Sequence, residues 1–164
     1  MSKISTVTLE RYQDKHRAGL SDYHLSEEQN RYASKALDAL KQFQEDPSRH
    51  PIVILYNGQP AGFFILHGWE GVQRYSNNTN ALLIRSYSIN AKFQGNGIAK
   101  QSLFELEDFV KEHFPDKDEI ILAVNKKNTV AQQVYLKGGF VDSGQRMMGR
   151  KGELYIFRKS LNVS

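Results

Sequence analysis

The spacing of apolar positions changes period along the chain. Residues 4–9 alternate apolar and polar, which predicts a first strand. Ser26 stands three residues before Gln29, the S-x-x-Q form of a capping box, and Ala36, Leu37, Leu40 and Phe43 follow at helical spacing, so a helix is expected up to Gln44, before Pro47. Residues 51–56 and 61–67 are apolar runs of strand length. Asn57-Gly58 joins them, the dipeptide favoured by a type I′ hairpin turn. Residues 68–80 are polar and read as loop, and 81–89 return to strand, rich in Leu, Ile and Tyr.

Beyond that strand the period lengthens. Ala99, Leu103, Leu106 and Val110 share one helical face, and Pro115 ends the helix. Residues 120–124 form another apolar run. Asn128 is placed to cap a second helix carrying Ala131, Val134 and Tyr135, which stops at Gly138-Gly139. Residues 140–147 and 153–159 read as a final hairpin turning at 149–152. No repeat, low-complexity tract or linker breaks the chain, so residues 1–164 are expected to form a single domain. Strands alternating with helices in one domain predict an α/β or α+β sheet with helices packed on it.

Composition removes several classes of chemistry. The 164 residues suffice for a core without covalent staples. There is no cysteine, which excludes a disulfide scaffold, cysteine-ligated zinc, iron–sulfur ligation and a protein thiol nucleophile. The five histidines form no ligand pair, and no metal is expected. No apolar run reaches the length of a membrane span, and the first twenty residues lack a signal-peptide stretch, so a cytoplasmic protein without a membrane partner is expected. The net charge of +4 is unevenly spread. Lys and Arg balance Asp and Glu at nine each in residues 1–82, but outnumber them thirteen to nine in 83–164. An anion site in the second half would use that excess. The basic residues are scattered and no nucleic-acid motif accompanies them, so no nucleic-acid partner is expected.

Two local patterns carry chemistry. Gln94-Gly95-Asn96-Gly97-Ile98-Ala99 lies between a strand and an amphipathic helix. The first turn of a helix has unpaired N–H groups and the positive end of the dipole, and glycines let an anion approach the backbone closely. With Lys100 following, the segment has the makings of an anion cradle. It is neither a Walker A loop nor a full dinucleotide fingerprint. The second pattern sets Asn128 and Tyr135 about two helical turns apart, on one face, before Gly139-Phe140.

Together these residues resemble the GNAT superfamily of acyl-CoA-dependent N-acetyltransferases. The family's phosphate loop, [QR]-x-x-G-x-[GA], reads here as Gln94, Gly97 and Ala99; its second signature reads as Asn128, Tyr135, Gly139 and Phe140. The resemblance spans most of the chain in element order and is strongest from Leu82 to Phe140. A looser resemblance, from Leu25 to Leu40, points to the spermine/spermidine acetyltransferase branch. The resemblance implies a mixed, mostly antiparallel, splayed central sheet with helices on both faces. It implies that acetyl-CoA is the acyl donor, that a small-molecule amine is the acceptor, and that a homodimer through the terminal strands is one assembly open to the chain. Residues Gln94, Gly95, Asn96, Gly97, Ile98, Ala99 and Lys100 would hold the pyrophosphate. Ser88 and Ile89, at the end of the splayed strand, would meet the pantetheine, with Asn128 orienting it. Lys126, Lys127 and Lys137, with Lys100, are the cations expected near the phosphates.

The implied reaction is attack of an amine on a thioester, and it sets three tasks. A lysine-like amine must lose a proton, at about 4–5 kcal/mol at neutral pH. The thioester oxygen gains charge, which a fixed N–H stabilises; the resemblance assigns the Ile89 amide. The thiolate must leave, and Tyr135 would donate to it. In several family members a glutamate on the strand before the loop acts as base, but residues 81–90 hold no carboxylate. Glu70 and His67 are the substitutes expected, with a chain of waters as a third route. Trp69, Tyr75 and Tyr87 are expected around the acceptor, and Asp22, Glu27 and Glu28 would attract a cationic amine such as a polyamine. The competing reading is a non-catalytic module that binds acyl-CoA as a sensor or regulator.

Overall fold

The computed structural model describes residues 6–21, 23–25 and 46–161. The helix expected from Ser26 to Gln44, the start of the first strand, and Asp22, Glu27 and Glu28 lie outside the described residues. β1 (Val7–Arg11) opens the sheet, and a 3-10 turn at Asp14–His16 leads into the short α1 (Arg17–Ser21). In α1 Leu20 alone is buried, so no apolar period marks this helix in the sequence. β2 (Arg49–Tyr56) and β3 (Gln59–His67) form the expected hairpin; Asn57 and Gly58 have φ of 50° and 84°, both positive as a type I′ turn requires. The expected loop at 68–80 is only partly one. It begins with α2 (Trp69–Val72), pinned by the fully buried Val72, and the Asn78 amide then ties it to Asp118 at 2.9 Å. β4 (Ala81–Ile89), α3 (Ile98–His113), β5 (Glu119–Asn125), α4 (Thr129–Lys137) and the hairpin β6 (Val141–Gly149) and β7 (Gly152–Ser160) follow as the spacing predicts.

The strands form one sheet in the order β1-β2-β3-β4-β5-β7-β6, antiparallel throughout except for β4 beside β5. The near-continuous apolar runs of β2 to β5 follow from burial on both faces. On one face Ile52, Ile54, Phe64, Leu66, Leu82 and Ile84 meet Leu103, Leu106 and Val110 of α3. On the other, Val53, Leu55, Phe63 and Ile65 pack under Leu20 of α1 and Tyr23, while Ala81, Leu83, Ile121 and Ile156 pack under Val72 of α2. Each large apolar side chain buried in this way contributes roughly 1.5–3 kcal/mol. Among the described residues no helix is long and apolar enough to cross a membrane.

Two irregularities in the middle of the sheet position the site. β4 and β5 pair only from Ala81↔Glu119 to Ile84↔Leu122, while β5 stays paired with β7 as far as Asn125↔Leu154. β4 stays with β3, so the two halves of the sheet part beyond Ile84. At that point β4 also carries a bulge. Ile65 pairs with Arg85 but Phe63 pairs with Ser88, leaving one extra residue in β4, and Ser86 has φ of 57°. The extra residue exchanges the faces. Leu82 and Ile84 point to α3 before the bulge; Tyr87 and Ile89 do so after it.

Candidate functional site

Where β4 and β5 part, a cleft of about 1400 Å³ passes through the sheet from the α3–α4 face to the α2 face. Its first end is built from backbone. The Asn90 side chain accepts from the Lys92 amide at 3.2 Å and sets the 3-10 turn Ala91–Phe93. Asn96 folds back, donating to the Phe93 carbonyl at 2.9 Å. Gly95 and Gly97 take φ of 90° and 70°, a region costly for other residues, and a Cβ on either would meet nothing within 4 Å. The chain thus presents its backbone to open space just as α3 begins. The amides of Gly95, Gly97, Ile98 and Ala99 have no partner among the described residues. They converge where the α3 dipole is positive, so this end suits an anion. Gln94, Gly95, Gly97, Ile98 and Ala99 line the cleft. Asn96 and Lys100 do not: the Asn96 side chain is spent on closing the turn, and Lys100 stands exposed on α3.

The middle of the cleft combines β4 with α4. Asn90 donates its amide to the Ala61 carbonyl at 2.8 Å, so by strand alternation the Ile89 amide faces the other edge of β4, toward β5. Ser88 does not reach the cleft, contrary to expectation. The bulge turns its side chain to the opposite face, fully buried, where Tyr23 donates to the Ser88 carbonyl at 2.8 Å and accepts from its hydroxyl at 2.7 Å. Asn128 caps α4, its Oδ1 accepting from the Ala131 amide at 3.2 Å, and it lines the cleft. Tyr135 lines it from one α4 face further on, its ring held edge-on by Tyr87 at 5.8 Å and Phe140 at 6.0 Å. Its hydroxyl meets no hydrogen-bonding group among the described residues. Burial pushes this phenol well above its ordinary value, so it holds its proton at any physiological pH. Tyr87 is different: its hydroxyl is hydrogen-bonded with that of Ser102, which itself donates to the Ala99 carbonyl at 2.8 Å.

The far end is built from side chains. Arg49 of β2, Arg74 just past α2 and Arg85 of β4 line it with Tyr75, and Arg150 and Lys151 come from the β6–β7 turn. Among the described lining residues there is no Asp or Glu. Arg49 sits 3.3 Å from Asp46. Arg85 donates to His67 Nδ1 at 3.5 Å. A guanidinium has only donors, so His67 Nδ1 accepts and its Nε2–H faces Ser48 Oγ at 3.1 Å and Asp46 at 3.3 Å. Burial first, then Arg49 and Arg85, hold His67 below the usual histidine value, and it is neutral at neutral pH.

Neither substitute base is in the cleft. Glu70 is exposed in the first turn of α2, outside the lining, and His67 is buried beneath Gly71 with both nitrogens engaged. Of the expected aromatic residues Tyr75 and Tyr87 line the cleft, whereas Trp69 does not. The expected cations are also replaced. Lys100, Lys126, Lys127 and Lys137 lie off the lining, and the five that do line it were missed. Three elements bring the arginines together, so no spacing joins them; the one sequence signal is a lone Arg85 in an otherwise apolar strand.

The comparisons with known proteins agree with this architecture. The model of the acetyltransferase (GNAT) family matches residues 17–140. The chain is 40% identical over 156 residues to the uncharacterized N-acetyltransferase YbbJ of Bacillus subtilis (strain 168), covering 94% of this chain and 98% of that protein. It is 24% identical over 140 residues to the spermine/spermidine N(1)-acetyltransferase of the same organism, covering 85% and 91%. The crystal structure of aminoglycoside acetyltransferase AAC(6')-Ib with coenzyme A and kanamycin shares the fold, with a TM-score of 0.76 at 18% identity over 94% of this chain and 95% of that one.

Proposed function

The chain belongs to the GNAT acetyltransferase family, and from that premise we propose that it moves the acetyl group of acetyl-CoA directly to a small primary amine inside the cleft. One observation carries the site assignment. The amides of Gly95, Gly97, Ile98 and Ala99 and the hydroxyl of Tyr135, all without a partner among the described residues, open into the same passage through the sheet.

The donor fits this passage chemically. Backbone amides at a helix start suit a pyrophosphate, and a gap between strand edges suits an extended chain bearing amide groups. Acetyl-CoA supplies an activated acyl group on a sulfur leaving group. This chain's residues do the rest. Gly95 to Ala99 anchor the phosphates. Asn128 fixes the start of α4 against the passage. The family resemblance assigns the Ile89 amide, on the β5-facing edge, to the oxygen that gains charge. Tyr135 Oη keeps its proton and donates a hydrogen bond to the departing sulfur, which takes up the proton that the amine releases; being un-ionised, the phenol cannot serve as base. Among the described residues no lining carboxylate is at hand to take the proton of the amine. The lining cations instead disfavour a charged ammonium, so the acceptor releases its proton to water more readily than in bulk. With no cysteine in the chain, transfer needs no thiol acyl-enzyme.

Release of free CoA on mixing the protein with acetyl-CoA and a panel of amines tests this reading. CoA release that depends on one amine class, with the acetylated amine as product, is the expected result. Tight acetyl-CoA binding without transfer to any amine favours the sensor instead.

A further inference from the structure

The far end of the cleft is the wrong shape of charge for a polycation. Three arginines, Arg49, Arg74 and Arg85, converge there from β2, α2 and β4, and no Asp or Glu among the described residues joins them in the lining. Each has a different degree of commitment. Arg49 leans on Asp46. Arg74 lies over the Tyr75 ring at 5.6 Å. Arg85 is half-buried, held at His67 Nδ1, and meets no carboxylate among the described residues.

A guanidinium cannot shed its charge, so neighbouring arginines repel one another until an anion lies between them. The ordinary compensation in a protein is an acidic side chain. Here Asp46 bonds Arg49, Ser48 and His67, and among the described residues Arg85 meets a neutral imidazole nitrogen and no carboxylate. Arg85 also lines the passage. Burial first, then Arg49 and Arg74, hold the Arg85 guanidinium below its ordinary value, with Tyr75 and Asp46 acting against them. This end also lies on the α2 face of the sheet, away from the Gly95–Ala99 amides on the α3 side, so the pyrophosphate has its own site.

Resting on the acetyl-transfer reading above, we propose that the acceptor is an amine that also carries a carboxylate, as a free amino acid does, with the carboxylate seated on Arg85 and flanked by Arg49 and Arg74. Such an acceptor brings the missing negative charge and presents its amine toward the middle of the cleft, where Ile89 and Tyr135 lie. A polyamine would place ammonium groups against three fixed positive charges.

The experiment measures kcat/KM for CoA release with matched amines that differ only in the carboxylate: lysine against cadaverine, and ornithine against putrescine, with spermidine as a third cation. The expected result is at least about a tenfold advantage for the carboxylate-bearing member of a pair, seen as a lower KM. Arg85→Gln should bring the pair near parity by raising the KM of the amino acid, with the KM for acetyl-CoA unchanged. Arg85→Lys, which keeps the charge but loses the fork, should fall between. Melting curves for both variants check that the fold is kept. If cadaverine or spermidine is used as well as or better than lysine, the inference is overturned while the transfer reading stands. An Arg85→Gln variant that slows both members of a pair alike also overturns it. If no amine of any kind drives CoA release, the transfer reading fails first and takes this inference with it.

Discussion

The two ends of the cleft are both positive, but they are made differently. At the α3 end the charge belongs to the backbone: unpaired amides, a helix dipole and glycines at positive φ. At the α2 end it belongs to long side chains, Arg49, Arg74 and Arg85, gathered from three elements. The first kind of site is written in consecutive residues and tolerates little variation in conformation. The second kind depends on where three strands and turns meet and is free to change one residue at a time. A donor common to many enzymes suits the first, and an acceptor particular to one suits the second.

Four changes break or sharpen that contrast. Tyr135→Phe removes the donor between the two ends. Turnover should fall on the order of a hundredfold, since a positioned acid contributes about that much or more, while acetyl-CoA affinity by calorimetry stays as it was. Lys159→Met attacks the support of the backbone end. The buried Lys159 ammonium donates to the Leu103 carbonyl in α3 at 3.2 Å and to the Gly138 carbonyl closing α4 at 3.0 Å. Losing both hydrogen bonds should cost roughly 1–3 kcal/mol in denaturant unfolding. Gly97→Val leaves space around the new side chain but forces it into the left-handed region, a strain of roughly 1–3 kcal/mol. Acetyl-CoA should bind about tenfold more weakly, with the ranking of amines preserved; a changed ranking would mean that the two ends are not separate.

The smallest effect is on pH dependence. His67 is held below the ordinary histidine value by burial, then by Arg49 and Arg85, and His50 by burial, then by Arg11 and Lys117. A histidine with a depressed native value stabilises the fold fully above its unfolded value and loses that contribution as pH falls through the native one. The melting temperature should therefore fall as the solution is acidified below about pH 6.5, and less steeply in His67→Gln. An unchanged slope in that variant would leave His50 as the source and remove His67 from the account.

The same contrast explains what the sequence disclosed. The cradle before α3, and Asn128 with Tyr135 on one face of α4, were legible because each is fixed by neighbours a few residues apart. The strands β2 to β5 were legible from their apolar runs. The α2 end was not, because Arg49, Arg74 and Arg85 come from separate stretches that no spacing joins, and the faces taken by Tyr87 and Ser88 were hidden by the bulge at Ser86, which reverses the alternation of β4 beyond it. Plain alternation puts Arg85 and Tyr87 on one face and carries Ser88 with Leu82 and Ile84. The extra residue leaves Arg85 beside His67, where alternation already puts it, but turns Tyr87 toward α3 and Ser88 to Tyr23. Glu70 failed as a base for a related reason. Residues 68–80 read as loop, yet the buried Val72 folds their start into α2 and leaves Glu70 exposed.

The central claim is that the cleft joins a donor site to an acceptor site across the sheet. Mass analysis of the amine after incubation with acetyl-CoA and the wild-type protein tests it most directly. The account predicts an amine heavier by one acetyl group, formed only when protein and acetyl-CoA are both present and largely lost with Tyr135→Phe. Acetyl-CoA bound at the Gly95–Ala99 cradle but returned intact, with every amine unmodified, would contradict it.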